Sequence, residues 1–327
     1  MIAVTGANGL LGSYLLRKLA EDKQPIIALS RKGSDYSHLS DLPKIIWREL
    51  EILDPLSVQE AFKDATSVIH TAAQVSFNPR KRKEIMDVNV MGTKNVVDAC
   101  LLLNIRQLVH ISSIAALGRK KEMPIIDESS RWIDSDLNTD YAESKYKGEL
   151  EVWRGVEEGL CVSIINPSVI LAPADWTKSS AQLFHYVWKE KKFYSESHLN
   201  YVDVRDVVDL ICNVNANKIS GERFIANGGR ISTKELFDQI GMRFKKKSPS
   251  IKIPASVVSS FAHFEELRAG LMGREPLITR QSAKATKENF QYLNGKATNQ
   301  LGHSFRNLGE TLDWCCAWYL STYTTNK

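Results

Sequence analysis

Val4-Thr5-Gly6-Ala7-Asn8-Gly9-Leu10-Leu11-Gly12 is the stretch on which the reading of this chain turns. It follows a short apolar run, Ile2-Ala3-Val4, and opens a segment of helical periodicity over residues 10–21. A strand that ends in a GxxGxxG turn and passes straight into a helix is the start of a βαβ dinucleotide-binding unit. Gly6 permits the tight turn, Gly9 lets the main chain approach a pyrophosphate, and Gly12 lets the helix sit close to the strand. Asn8, Leu10 and Leu11 share that turn, where free N–H groups and the positive helix end face bound phosphate.

Working outward, short β-branched runs alternate with helical-period segments through about residue 170. The strands read as Ile2–Val4, Pro25–Leu29, Ile45–Arg48, Ser67–His70, Gln107–Ser112 and Cys161–Ile165, with helices near 10–21, 55–64, 81–103 and 141–158. Such alternation predicts an α/β fold, a Rossmann-type doubly wound parallel sheet with helices on both faces. Asp54-Pro55 opens one helix with a carboxylate N-cap and proline at the first helical position. After Pro167 the pattern loosens. Residues 171–200 and 228–327 read as a smaller mixed α/β substrate lobe, and 201–227 return to the dinucleotide domain of residues 1–170. Trp176, Phe184, Tyr186, Trp188 and Phe193 fall in the irregular part of that lobe, where two or three of them are expected to line a pocket.

Composition narrows the function classes. A chain of 327 residues with 43% hydrophobic and 25% charged residues can bury a large core without disulfides or metals. The net charge of +5 comes from short basic runs far apart in sequence, such as Arg80–Lys83 and Lys245–Lys247, which read as solvated surface and not as a nucleic-acid face. The cysteines at 100, 161, 212, 315 and 316 form no CxxC pair and have no histidine at zinc spacing, so they read as buried thiols in a reducing compartment, with no metal site. The apolar run Leu312–Leu320 is too short to cross a membrane. A first strand beginning at Ile2 leaves no room for a signal peptide, so a cytoplasmic location is expected.

Two further positions carry chemistry. At the end of the second strand, where an acid commonly accepts from an NAD ribose, the chain reads Ser30-Arg31-Lys32; arginine there suits a 2′-phosphate and predicts NADP, with NAD as the second choice. Tyr141-Ala142-Glu143-Ser144-Lys145 starts a helix, so Tyr141 and Lys145 stand one turn apart on one face. An ammonium ~5 Å away at an effective dielectric of ~20 favours a phenolate by roughly 3 kcal/mol, or about two pKa units. That makes Tyr141 a candidate proton carrier for hydride transfer. A hydroxyl at the end of the fifth strand should polarise the substrate oxygen; Ser112 and Ser113 both qualify on local chemistry.

These segments, with His70-Thr71-Ala72-Ala73, Asn89-Val90-Met91-Gly92-Thr93 and Tyr201-Val202-Asp203-Val204-Arg205-Asp206, resemble the extended short-chain dehydrogenases. The similarity runs through almost the whole chain, weakly over Ile278 to Tyr319, and is greatest toward the dihydroflavonol-reductase and 3β-hydroxysteroid-dehydrogenase branch of the NAD-dependent epimerase/dehydratase group. The resemblance implies Ser113, Tyr141 and Lys145 as the catalytic set, Ser113 being preferred because it stands five residues before Gly118. It implies cofactor contacts from Ala72, Ala73 and Gln74, from Glu51 and Ile52 near the adenine, and from Asn166 and Ser168 near the nicotinamide, with Lys145 on its ribose. Asn89 is open between a water relay and a structural role. For oligomeric state the resemblance leaves two readings, a homodimer through 81–103 and 141–158 as in many relatives, or a monomer as in others. Two departures matter. Ser113-Ile114-Ala115 lacks the Thr-acid pair of sugar dehydratases, and Ile164-Ile165-Asn166 lacks the arginine that nucleotide-sugar epimerases carry there. The expected activity is therefore NAD(P)-dependent reduction of a small hydrophobic carbonyl or oxidation of the secondary alcohol. The alternatives are a 4-epimerase with tightly held NAD and a non-catalytic dinucleotide sensor.

Overall fold

Ala3 and Val4 are neighbours in sequence and both fully buried, yet they pack into different cores. The same split separates Val68 from Ile69, Leu108 from Val109 and Ile164 from Ile165. Successive side chains of a strand point to opposite faces, so a sheet buried on both sides is written as continuous apolar runs. The chain is described here by a computed structural model covering residues 1–42, 45–120, 122–254 and 289–324. Pro276, the start of the weak similarity at Ile278, and the remainder of 255–288 lie outside the described residues.

The central sheet contains β1 (Ile2–Thr5), β2 (Ile26–Ser30), β3 (Ile45–Glu49), β4 (Ser67–His70), β5 (Gln107–Ile111), β7 (Val162–Pro167) and β11 (Glu222–Ala226). Their order is β11-β7-β5-β4-β1-β2-β3, and every pairing is parallel. The order reverses direction between β1 and β4, and ligands of doubly wound sheets bind in the crevice at that switch. On one face α1 (Leu10–Glu21) and α7 (Val204–Ala216) bury Leu15, Leu16, Leu210 and Ile211. On the other, α2 (Pro55–Ala61), α4 (Gly92–Leu102) and α5 (Asp140–Glu157) bury Val58, Val96, Val97 and Val152. Asp54 caps α2 as its sequence predicts, accepting from the Leu56 N–H at 3.0 Å ahead of Pro55.

The helix expected over 81–103 is divided. α3 (Arg82–Met86) runs into a π turn at Asp87–Met91 before α4 begins. Apolar periodicity does not register one wider turn, because the hydrophobic face resumes after it.

The smaller lobe is built on β8 (Val169–Leu171), β10 (His198–Asp203) and β12 (Gly229–Ser232), in the order β12-β10-β8, with α6 (Gln182–Trp188) and α8 (Thr233–Phe244) packed nearby. The carboxyl-terminal helix α9 (Leu308–Thr324) completes its core with Leu312, Cys315, Cys316 and Tyr319. The segment Tyr201–Asp206 locks this helix to the Rossmann body. Asp203 caps α7 through the Arg205 N–H at 2.8 Å and accepts from the Thr311 hydroxyl at 2.8 Å, and Asp206 accepts from the Arg306 N–H at 3.0 Å.

Burial of the aromatics in this lobe, and of the cysteines along the whole chain, bears on two expectations. Trp176 and Phe184 are core residues, Trp176 stacking on Tyr323 and Tyr319 at ring distances of 3.7 and 5.4 Å, while Tyr186 stacks on Phe237 and Trp188 meets Phe244 edge-on. The aromatic segment thus feeds the hydrophobic core more than any pocket; only Phe193 is an exposed large apolar side chain among them. The five cysteines are unpaired, but only Cys100, Cys315 and Cys316 are buried.

Candidate active site

At the switch point the glycine loop is shaped by contacts that admit no side chain. Gly6 adopts φ +64°, and a Cβ there would lie 2.9 Å from the main chain of Ala72. A Cβ on Gly12 would lie 2.2 Å from the Gly6 carbonyl oxygen, so α1 can start this close to the turn only with glycine. Gly9 is exposed, and α1 opens with no side-chain cap. Its first N–H groups at Leu10 and Leu11 therefore face outward with the helix dipole behind them, the arrangement that holds a phosphate. The Asn8 carboxamide donates to the Asp35 carbonyl at 3.3 Å and ties the loop to the segment after β2. Arg31 stands there, exposed, directly after the last residue of β2; Gly33 at φ +72° and the Ser34 N–H on the Arg31 carbonyl close the turn.

The second rim of the crevice follows β4. Thr71 donates to the Thr5 carbonyl at 2.6 Å, and the Ala72 N–H donates to the Thr5 hydroxyl at 3.1 Å, so Ala72 abuts Gly6. Ala73 is exposed beside it, and Gln74 is held by Asn89: the Gln74 N–H donates to Asn89 Oδ1 at 2.7 Å, and Asn89 Nδ2 donates to the Gln74 carbonyl at 2.9 Å. Asn89 Nδ2 also donates to Ser144 Oγ at 2.9 Å. With its amide engaged on protein groups, Asn89 acts as a clamp set by the π turn. Glu51 and Ile52 follow β3; the Glu51 carboxylate accepts from the Leu53 N–H at 3.3 Å, and the buried Ile52 offers its carbonyl to Asn95.

Thr139 caps α5 by accepting from the Ala142 N–H at 3.0 Å, which puts Tyr141 and Lys145 on consecutive turns beside the end of β5. Of the two candidate serines, Ser113 is the one whose side chain acts on the Tyr141 hydroxyl, drawing its pKa down against burial. Its Oγ also accepts from the Ala115 N–H at 3.1 Å. Ser112 Oγ is buried and has no partner among the described residues. The Phe77 ring meets Tyr141 edge-on at 5.9 Å, and Phe77 and Val75 are both exposed. Lys145 is buried and donates to the Ile111 carbonyl at 2.8 Å.

Electrostatically the pair differs from its sequence expectation. Burial raises the Tyr141 pKa above its ordinary value, with the Ser113 hydrogen bond and the Arg119 charge opposing. Burial also lowers Lys145 to about 8, with Glu149 opposing. An ammonium spent on a main-chain carbonyl does not offset the loss of water around the phenol. The neutral phenol is favoured, and Tyr141 is poised to give a proton.

The arrangement fits a dinucleotide: the uncapped helix start lies behind a glycine turn with no room for side chains, and the buried hydroxyls of Ser112 and Ser168 lack partners at the ends of β5 and β7. The Asn166 Nδ2 donates to the Ser113 carbonyl at 2.9 Å and to Glu149 at 2.6 Å, while its buried Oδ1 has no partner among the described residues. A model of the NAD dependent epimerase/dehydratase family matches residues 2–226. The chain belongs to this family. It is an NAD(P)-dependent oxidoreductase of the extended short-chain dehydrogenase/reductase type. A Synechocystis protein named "Putative dihydroflavonol 4-reductase" is 27% identical over 322 residues, 97% of this chain and 93% of that protein. Cinnamoyl-CoA reductase 1 of Petunia hybrida is 31% identical over 224 residues, 63% of this chain and 66% of its own. Among solved structures, gox2253 superposes with a TM-score of 0.84 at 28% identity, over 99% of this chain and 98% of that one. The UDP-glucose 4-epimerase of Thermotoga maritima shares the fold at TM-score 0.81 and 19% identity, over 98% and 99%. Among the described residues no helix is long and apolar enough to cross a membrane.

Proposed function

We propose that this protein reduces an uncharged, apolar aldehyde or ketone, or oxidises the matching alcohol, with NADPH preferred. The observation carrying this reading is the Ser113 side chain acting on the Tyr141 hydroxyl, with the Phe77 ring set against the tyrosine. The nicotinamide, when bound, supplies or removes the hydride. Leu10, Leu11, Ala72, Ala73 and Gln74 would hold the dinucleotide, with Arg31 on the 2′-phosphate and Lys145 on the ribose. Ser113 donates to the substrate oxygen and fixes it beside Tyr141. Tyr141 gives its proton to that oxygen as negative charge grows there. A phenol whose pKa is raised by burial carries its proton at neutral pH and can give it to the carbonyl oxygen.

An apolar substrate is further supported by the fate of the cations. Arg205 is committed to Asp203 and lies 4.1 Å over the Trp314 ring, and Lys178 pairs with Asp175 on an exposed turn. A sugar nucleotide would need paired charges for its two phosphates. The test is a panel of aromatic and alicyclic carbonyls read by NADPH oxidation, with UDP-hexose interconversion measured in parallel. Turnover of the carbonyls and none of the sugar nucleotides is expected; rapid epimerisation with retained NAD overturns the proposal.

We also propose a homodimer through the outer faces of 81–103 and 141–158, where Met91 of the π turn, Leu102 of α4 and Leu150 of α5 are exposed. Light scattering should give twice the chain mass of 36.8 kDa, and a monomer at micromolar concentration rejects this assembly.

A further inference from the structure

Glu149 is a fully buried carboxylate that neither the cofactor contacts nor the proton transfer uses. It lies one turn beyond Lys145 on α5, on the same face. A carboxylate stripped of water is costly unless it is paired and hydrogen-bonded, so its partners define its purpose. There are two: Arg223 of β11 forms an ion pair with one carboxylate oxygen, and Asn166 of β7 donates to the other at 2.6 Å. The Asn166 amide donates in addition to the Ser113 carbonyl at 2.9 Å. A continuous chain thus runs from Arg223 through Glu149 and Asn166 to the main chain of the residue whose hydroxyl meets Tyr141.

We infer that Glu149 is a positioning residue, fixing the main chain at Ser113 through Asn166 and supplying the counter-charge for the Lys145 ammonium. This rests on the Ser113, Tyr141 and Lys145 reading above. The other titratable groups facing Lys145 cannot supply that counter-charge. His70 of β4 is driven down to about 3 by burial, and His110 of β5 lies well below its ordinary range for the same cause, so both are neutral. Tyr141 on the same helix is neutral as well. Glu149 is the remaining acid acting on Lys145, and it opposes the lowering that burial imposes. Arg223, on its far side, forms an ion pair with it and balances part of its charge.

The test reads Lys145 directly: competitive acetylation with acetic anhydride across a pH series, quantified by mass spectrometry of the Lys145 peptide. In the unmodified protein the midpoint should fall near 8. In Glu149→Gln it should move down by on the order of one pH unit, because an opposite charge at this separation typically contributes that much. Glu149→Asp keeps the charge and should return the midpoint most of the way. Thermal unfolding accompanies each variant. If Glu149→Gln does not fold, Arg223→Gln serves in its place and should raise the midpoint, since the carboxylate then acts on Lys145 without its neutralising partner. An unchanged Lys145 midpoint in a folded variant overturns the inference, even if stability falls. Loss of the Tyr141 reading would appear elsewhere, as a Tyr141→Phe enzyme that still turns over carbonyls.

Discussion

Tyr141→Phe should lower kcat for carbonyl reduction by about 10²–10⁴-fold, the usual contribution of a positioned proton donor, while nucleotide affinity changes by no more than about twofold. The phenylalanine ring fills the same space against Phe77, so the 5.9 Å edge contact survives and only the hydroxyl on Ser113 is lost. Nucleotide binding relies on the glycine loop and Lys145, which the substitution does not touch. The pH dependence follows from the raised phenol pKa. Reduction needs the proton on Tyr141, so its rate should hold through neutrality and fall as pH rises through the tyrosine's titration. Alcohol oxidation needs the phenolate and should rise over that same interval. Lys145→Met should reduce both turnover and nucleotide affinity, because the buried ammonium serves both. Steady-state kinetics in the two directions, with calorimetric titration of the nucleotide, check all of this. A Tyr141→Phe enzyme with most of its kcat removes the acid/base assignment.

The sequence was most informative where backbone geometry leaves little choice. A glycine turn between a strand and a helix has one common use, and Gly6 and Gly12 occupy positions where a Cβ collides with main chain. Tyr141 and Lys145 were legible because a four-residue spacing on a helix means one face. What the sequence concealed depends on tertiary contact. Ser112 and Ser113 are chemically equal in sequence, and only the approach of α5 distinguishes the one that meets Tyr141. Periodicity passed over the π turn at Asp87–Met91, and so hid the clamp that Asn89 makes on Gln74. Trp176 suggested a pocket because its partners, Tyr319 and Tyr323, lie more than a hundred residues away. Glu149 had a signal: a carboxylate four residues after Lys145 must share its environment. Its partners Asn166 and Arg223, however, come from strands that only the sheet order brings together.

Nucleotide choice should rest on one exposed side chain. The unmodified protein should bind NADPH roughly tenfold to a hundredfold more tightly than NADH, the worth of one charge-assisted hydrogen bond of about 1.5–3 kcal/mol. Arg31 leaves β2 exposed, and its guanidinium makes no ion pair among the described residues. The turn beneath it is fixed by Gly33 and by the Asn8 bond to Asp35, which holds the arginine at a set distance from the phosphate loop. Arg31→Ala should bring the two affinities together by weakening NADPH alone. Arg31→Glu should go further, because a carboxylate repels the 2′-phosphate yet can accept from a free 2′-hydroxyl, so NADH becomes the tighter ligand. Salt separates this from a packing effect. An exposed charge contact is screened as the Debye length shrinks from about 10 Å at 0.1 M to about 3 Å at 1 M. The NADPH preference should therefore narrow with added salt in the unmodified protein and stay flat in Arg31→Ala. Calorimetric titration of both nucleotides at two ionic strengths measures these quantities, and equal affinities in the unmodified protein would remove Arg31 from the cofactor site.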